Sequence, residues 1–315
     1  MRVHDRADLE HCVADEAVAL GRAPAPELPC SVLTGCVGRP LRVAAQGRGV
    51  HLPRLLRSGA FGAASLALVF GMGADSVAAV VVPPGTAVVA APAVAAAPAS
   101  AVGALFLSGL GSEHTCTADV VDSPTGDVVV TAAHCLDGLT SRTVFAPGYD
   151  DGLAPFGTWA VTAAYVDPRW TASRNTDADY AFLIVAPRSD GDRRTVQQVV
   201  GADVLANPVI EPAGTVAVEG YASGIDDLPV ACSATVYLTG DYPTFDCAGF
   251  VDGTSGSPWL ADYDPLTRTG LVVGVIGGLD GGGKYDYTSY SSPFDEATVA
   301  VYERAVANAT PDLLA

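Results

Sequence analysis

Thr131-Ala132-Ala133-His134-Cys135 ends the β-prone run Val128-Val129-Val130 and sets a histidine beside a cysteine. Around it the chain is a succession of short apolar runs, at residues 105–107, 117–121, 143–146, 159–166 and 180–185. Gly109, Gly111 and Ser123-Pro124-Thr125-Gly126 punctuate them as turns. A second set follows Asn207-Pro208, at 216–219, 232–238, 258–261 and 270–276. Many short strands with glycine turns, and no strand–helix–strand alternation, predict an all-β barrel or sandwich. One helix is expected near the C-terminus, capped by Ser292, with Pro293 in its first turn and Asp295 at its third position. Phe294, Val301, Tyr302 and Ala305 would form its apolar face.

Downstream lies Gly253-Thr254-Ser255-Gly256-Ser257-Pro258, a serine inside a tight glycine turn. Glycine permits backbone angles that side chains resist, and such a turn can aim the N–H groups of Gly253 and Ser255 at one point, as an oxyanion hole requires. A serine hydroxyl is a weak nucleophile that needs a base, and the base needs an orienting partner. From residue 104 on only His114 and His134 are candidates for the base, and His134 stands in the more constrained setting. For the partner, Asp179 in Asp177-Ala178-Asp179-Tyr180-Ala181 directly precedes an apolar strand, where its carboxylate can be partly buried against imidazole. Asp177 is the rival.

The order His134, Asp179, Ser255 resembles the chymotrypsin-like (trypsin-fold) serine peptidases, over about residues 102–308. Residues 131–135 match that family's Thr-Ala-Ala-His-Cys motif letter for letter, and residues 179–183 resemble its Asp-Ile-Ala-Leu-Leu segment. Residues 253–258 resemble Gly-Asp-Ser-Gly-Gly-Pro with two substitutions, and the Ser-Gly-Ser-Pro form is closer to the compact bacterial V8-like, glutamyl-endopeptidase-related branch. The resemblance implies two antiparallel six-stranded β-barrels with a C-terminal helix, and a secreted serine endopeptidase acting through an acyl-enzyme. It implies a Cys116–Cys135 bridge, expected to contribute about 3 kcal/mol, and leaves Cys232 and Cys247 to pair in the second barrel. It places Gly249 and Phe250 near the base of a substrate pocket and Gly277, Gly278 and Leu279 along its wall.

Two departures narrow these expectations. Thr254 replaces the aspartate that in the trypsin branch pairs with a newly cut N-terminus, so activation by that ion pair is not expected. No aspartate stands deep in the pocket by motif distance, and Ile276 replaces the histidine of the glutamyl peptidases, so a mildly apolar pocket is expected. A subtilisin reading lacks its His-Gly-Thr-His element, and an α/β-hydrolase reading fails at Ser257. The rival of a different class is a catalytically silent binding module on the same fold at the cell surface.

The remaining sequence concerns export and surroundings. Arg54, Arg57 and the apolar run 59–72, followed by Ser76-Val77-Ala78, read as a secretory signal over 50–79; a membrane anchor over 58–82 is the alternative. Residues 1–49 are then an extended leader or lie upstream of a true start near Val50. Residues 80–103 read as an Ala/Pro-rich pro-segment or spacer that packs no specific core. The peptidase domain is expected over 104–315, with a first barrel at about 104–205, a second at about 206–292 and the helix at 293–309. From residue 104 on, 28 Asp/Glu face nine Lys/Arg, within a chain of net charge −18. So acidic a surface repels nucleic acid and anionic membranes. Four of the seven cysteines lie in this part, enough for two disulfides in an exported domain. Expected partners are protein or peptide substrates, with no nucleic acid and no stable membrane contact after signal removal. No cofactor or metal is expected, and the protein should be a secreted monomer, with cell-surface association as the alternative.

Overall fold

In the computed structural model of the protein, residues 90–188, 191–206, 214–223, 228–308 and 310–314 are described. The leader, the signal and the first part of the spacer expected from the sequence lie outside these residues. Among the described residues no helix is long and apolar enough to cross a membrane.

Two short strands come first, β1 (Ala91–Pro92) and β2 (Val94–Ala95). Six antiparallel strands follow: β3 (Val102–Phe106), β4 (Cys116–Val120), β5 (Val128–Thr131), β6 (Val144–Pro147), β7 (Trp159–Val166) and β8 (Ala181–Val185). Their order is β7-β6-β3-β4-β5-β8, and β7 also pairs with β8, so the ladder closes into a barrel. Leu105, Ala118, Val129, Phe145, Trp159 and Leu183 belong to its main core. Val128 and Val130, the neighbours of Val129, pack instead with Phe182, Leu260 and Val275. Thus β5 is buried on both faces, which is why it reads as an unbroken valine run.

The second half has β9 (Val204–Leu205), β10 (Thr215–Tyr221), β11 (Pro229–Thr235), β12 (Tyr237–Thr239), β13 (Tyr242–Ala248), β14 (Pro258–Asp264), β15 (Thr269–Val275) and β16 (Thr288–Tyr290). Here the structure departs from a second closed six-stranded barrel. One sheet runs β2-β11-β10-β14-β15-β9, and a separate sheet holds β1, β13, β12 and β16. Side chains join the two where a continuous ladder does not. Val216, Val230, Phe245 and Trp259 share one core, and the Cys232–Cys247 disulfide ties β11 to β13.

The described part of the expected spacer is packed. Ala91 and Pro92 pair with Cys247 and Ala248, while Val94 and Ala95 pair with β11. Ala99, Ala101 and Val102 are buried, and the Ala99 N–H donates to Glu219 Oε1 at 2.6 Å. Small side chains that cannot build a core of their own can still fill a groove made by others, and composition alone misses that.

The first helices, α1 (Pro168–Ser173) and α2 (Val196–Val200), are short. The C-terminal helix α3 (Glu296–Val306) lies on β7 and β8. It starts later than the sequence predicted: its cap is Asp295, whose carboxylate accepts the N–H groups of Ala297 and Thr298. Ser292 is engaged elsewhere, as described below. The expected apolar face forms: Phe294, Val301 and Ala305 are buried, and Tyr302 packs edge-on against Phe182. A terminal strand, β17 (Leu313–Leu314), adds to β7. Asp295→Ala should cost about 1 kcal/mol, read as a lower urea midpoint with an unchanged m-value; an unchanged midpoint contradicts the cap assignment.

Candidate active site

Asp179 follows a 3-10 turn, Thr176–Ala178, and precedes β8. Its side chain is 1% exposed. Oδ1 accepts the backbone N–H of His134 at 2.8 Å, and Oδ2 accepts the backbone N–H of Gly278 at 2.8 Å. The imidazole Nδ1 of His134 lies 2.7 Å from Oδ2. With two N–H groups already donated to it, this carboxylate is placed to accept from a proton-bearing Nδ1, the tautomer the geometry suits. His134 itself lies in the 3-10 turn Ala133–Leu136 that ends β5, and its side chain is 26% exposed. The Cys116–Cys135 disulfide ties that turn to β4.

The rival Asp177 is turned away. Its Oδ1 accepts the hydroxyl of Tyr242 at 2.6 Å, and burial, then this hydrogen bond, raises the Tyr242 phenol above its ordinary range. His114 is also remote in role, buried among the rings of Phe106, Tyr149 and Tyr221.

Ser255 comes from the second half. Gly256 after it has φ +84°, and a Cβ there would strike Thr117 and Thr131, so only glycine fits. Thr254, Gly256 and Ser257 all donate their backbone N–H groups, to Val251, Ile276 and Thr254 respectively. Among the described residues the N–H groups of Gly253 and Ser255 have no such acceptor. Ser255 and His134 line one cleft of about 470 Å³, with Cys116, Asp137, Asp252 and Asp280 also on its wall. The two side chains share that cleft without a direct hydrogen bond.

Beside Ser255 is a second cavity of about 390 Å³. Phe250 lines it as expected, but Gly249, Gly277, Gly278 and Leu279 do not. Gly277 and Gly278 lie against Asp179 instead: a Cβ on Gly277 would sit 2.9 Å from the Asp179 carbonyl, and the Gly278 N–H holds the carboxylate. Ile276 and Gly281, Gly282 and Gly283 form wall in their place, with Asp252, Lys284 and Asp286 as charged groups. The lining is therefore mixed and charged where the sequence suggested mild apolarity.

Ser292 is a residue that sequence reading missed in this role. Its Oγ accepts the Asp179 N–H at 2.9 Å and donates to the Thr176 carbonyl at 2.7 Å, clamping the turn that presents Asp179. Its place after a strand and before a proline looked like a helix start, and no local signal distinguishes the two uses. Thr254 closes its own turn, donating Oγ1 to Val251 O at 2.7 Å. Cys116, His134 and Cys135 bring their donor atoms within 4.8 Å of one another. Both sulfurs are spent in the disulfide, so the trio lacks the thiolates a metal would need.

Comparison with known proteins agrees on architecture. No family model matches the chain. Over 180 residues it is 28% identical to a protein of Bacillus subtilis (strain 168) described as an extracellular metalloprotease. That match takes in 53% of this chain and 52% of the other, so it spans about half of each. Among solved structures, the protease Anisep from Arthrobacter nicotinovorans superposes with TM-score 0.56 at 23% identity, covering 68% of this chain and 98% of Anisep. The thermostable serine protease AL20 from an extremophilic microorganism gives TM-score 0.55 at 24% identity, with 66% and 98% covered. Human heparin binding protein gives 0.51 at 17%, with 71% and 99% covered. The chain has the chymotrypsin-like fold.

The short Nδ1–Oδ2 contact predicts a strongly downfield imidazole proton in the NMR spectrum. Asp179→Asn should remove it and Gly278→Ala should shift it; a resonance unchanged in Asp179→Asn contradicts the assignment.

Proposed function

We propose that the protein is a serine endopeptidase in which Ser255 is the nucleophile, His134 the general base and acid, and Asp179 the residue that orients and charge-stabilises the imidazole. One observation carries the reading: the His134–Asp179 pair opens on the same cleft as Ser255, whose turn leaves two N–H groups without acceptors among the described residues. Ser255 Oγ attacks the peptide carbonyl while His134 Nε2 takes its proton. The N–H groups of Gly253 and Ser255 hold the oxyanion as charge develops. His134 then protonates the leaving amine, and water attacks the acyl-enzyme by the same route. Ser255 Oγ and Nε2 must come within hydrogen-bond reach for this step, and such contacts often tighten when substrate arrives.

The second half, residues 206–292, is read as the counterpart of the first barrel, its two sheets together forming the other wall of the cleft. Two disulfides favour an oxidising compartment, so secretion with the signal at 50–79 fits the chemistry of the domain. The self-closed turn at Thr254 supports an activation route without a buried N-terminal ion pair. A pocket holding Asp252 and Asp286 beside one Lys284 disfavours acidic side chains and suits polar or basic ones.

The binding-module reading draws on one of the structural neighbours, a heparin binding protein by its description. Strong negative charge works against a polyanion here, and no candidate catalytic group is missing.

Ser255→Ala should lower kcat for peptide hydrolysis by about 10⁴-fold or more with little change in KM. Equal rates for the variant and the parent protein would sink the proposal. In a peptide-library profile the residue before the cut should be neutral polar or basic; a dominant glutamate there contradicts the pocket assignment.

A further inference from the structure

Asp119 and Asp203 are a pair of ionisable groups that the chemistry above does not use. On β4, Cys116, Ala118 and Val120 belong to the barrel core, which leaves the alternate residues Thr117 and Asp119 on the outer face, toward the second half. Thr117 Oγ1 is satisfied there, by the Tyr221 N–H at 2.9 Å and the Gly253 carbonyl at 3.1 Å. Asp119 is not. It is 0% exposed, and among the described residues neither of its carboxylate oxygens has a well-formed hydrogen bond; the Val120 N–H offsets its burial only in part.

Its neighbour is Asp203, also 0% exposed. Asp203 is stitched to the end of β4 by its own backbone: its N–H donates to Val120 O at 2.9 Å, and its carbonyl accepts from Asp122 N at 2.7 Å. Its Oδ1 accepts the N–H of Gly270 on β15 at 2.6 Å, while its Oδ2 has no donor among the described residues. The two carboxyls therefore lie where the first barrel, the strand leading out of it and the second half converge.

The surrounding charges do not balance them. Glu219 on β10 also acts on Asp119, but it is held by Arg268 at 3.1 Å and by the Ala99 N–H. Arg268 donates besides to the carbonyls of Ala97 and Pro98. Of the three carboxyls, Arg268 bonds Glu219. Two adjacent buried negative charges without a cation are far less favourable than one carboxylate bonded to one carboxylic acid. A resident metal fits less well, because among the described residues these two aspartates recruit no third ligating side chain.

We propose that Asp119 and Asp203 share a single proton as a carboxylic acid–carboxylate pair, forming a clasp between the two halves that holds in mild acid and weakens as pH rises. Burial first, then the charge of Asp203, pushes Asp119 well above the usual carboxylate range. Burial pushes Asp203 up to about 6. Folded-state values raised above the unfolded ones mean that the native state holds the proton more tightly. The contribution is full below about pH 4 and is lost as pH climbs through about 6 and beyond. Because the candidate cleft takes His134 and Asp179 from one half and Ser255 from the other, the clasp sets how firmly its two walls are held.

The test needs no activity and so stands or falls apart from the peptidase reading. Infrared spectra of the intact protein at about pH 7 should contain the carbonyl band of a buried carboxylic acid, and that band should be lost in Asp119→Asn, whose remaining Asp203 is ionised above about pH 6. Thermal unfolding from about pH 5 to about pH 8 should show the parent protein losing stability relative to Asp119→Asn, by about 4 °C or more in Tm. The amide introduced by Asp119→Asn donates to Asp203 without charge, so the variant keeps the contact and loses the share of the pH dependence that Asp119 contributes. Parallel Tm curves for the two proteins, or no acid band at any pH, would overturn the clasp. So would a rise in the parent's Tm with added calcium that Asp119→Asn lacks, since that would make the pair a cation site.

Discussion

The Asp179 carboxylate is the point on which the rest of the site depends. It is nearly sealed from water, and three backbone segments converge on it. The turn after β5 brings the His134 N–H and imidazole, the chain after β15 brings the Gly278 N–H, and Ser292 fixes the main chain of Asp179 itself. A buried carboxylate is tolerable only when donors replace the lost water. Here the donors come from both halves of the fold, so satisfying one charge also fixes how the halves meet at the cleft. The Cys116–Cys135 disulfide makes the same turn stiff from the other side.

Much of this was legible in the sequence, and what was not has physical reasons. Short apolar runs separated by glycine turns announced the barrel strands, and β5 looked uniform because both of its faces are covered. His134, Asp179 and Ser255 could be singled out because each sits next to a strand end or glycine turn with chemistry of its own. The two disulfides occur as the family resemblance implied. Strand β13 was missed: Tyr242–Ala248 carries a proline and an aspartate that weaken its pattern, and its stability comes from pairing with three partners. Ser292 was misread because a serine before a proline signals a helix start, while its actual partner, Asp179, is 113 positions away. The pocket wall shifted for a related reason: Gly277 and Gly278 are spent on the aspartate, and the wall falls to the following glycines.

Charge separates what the fold permits from what this chain is suited to do. The same scaffold serves proteins described as proteases and one described as a heparin binder, so architecture alone does not choose. The acidic surface, the cleft shared by Ser255 and His134, and the N–H groups around Ser255 that lack acceptors among the described residues are the grounds on which acyl transfer is proposed. The buried acidic pair Asp119–Asp203 has a different place in the molecule. It is not among the residues that line the cleft.

The central claim is that Ser255 is made nucleophilic by the His134–Asp179 pair in the folded protein. Covalent labelling by a fluorophosphonate, located by peptide mass spectrometry, tests it most directly. The account predicts stoichiometric modification at Ser255, lost on unfolding and in His134→Ala. An unlabelled Ser255 in the folded protein, or labelling indifferent to His134, would contradict it.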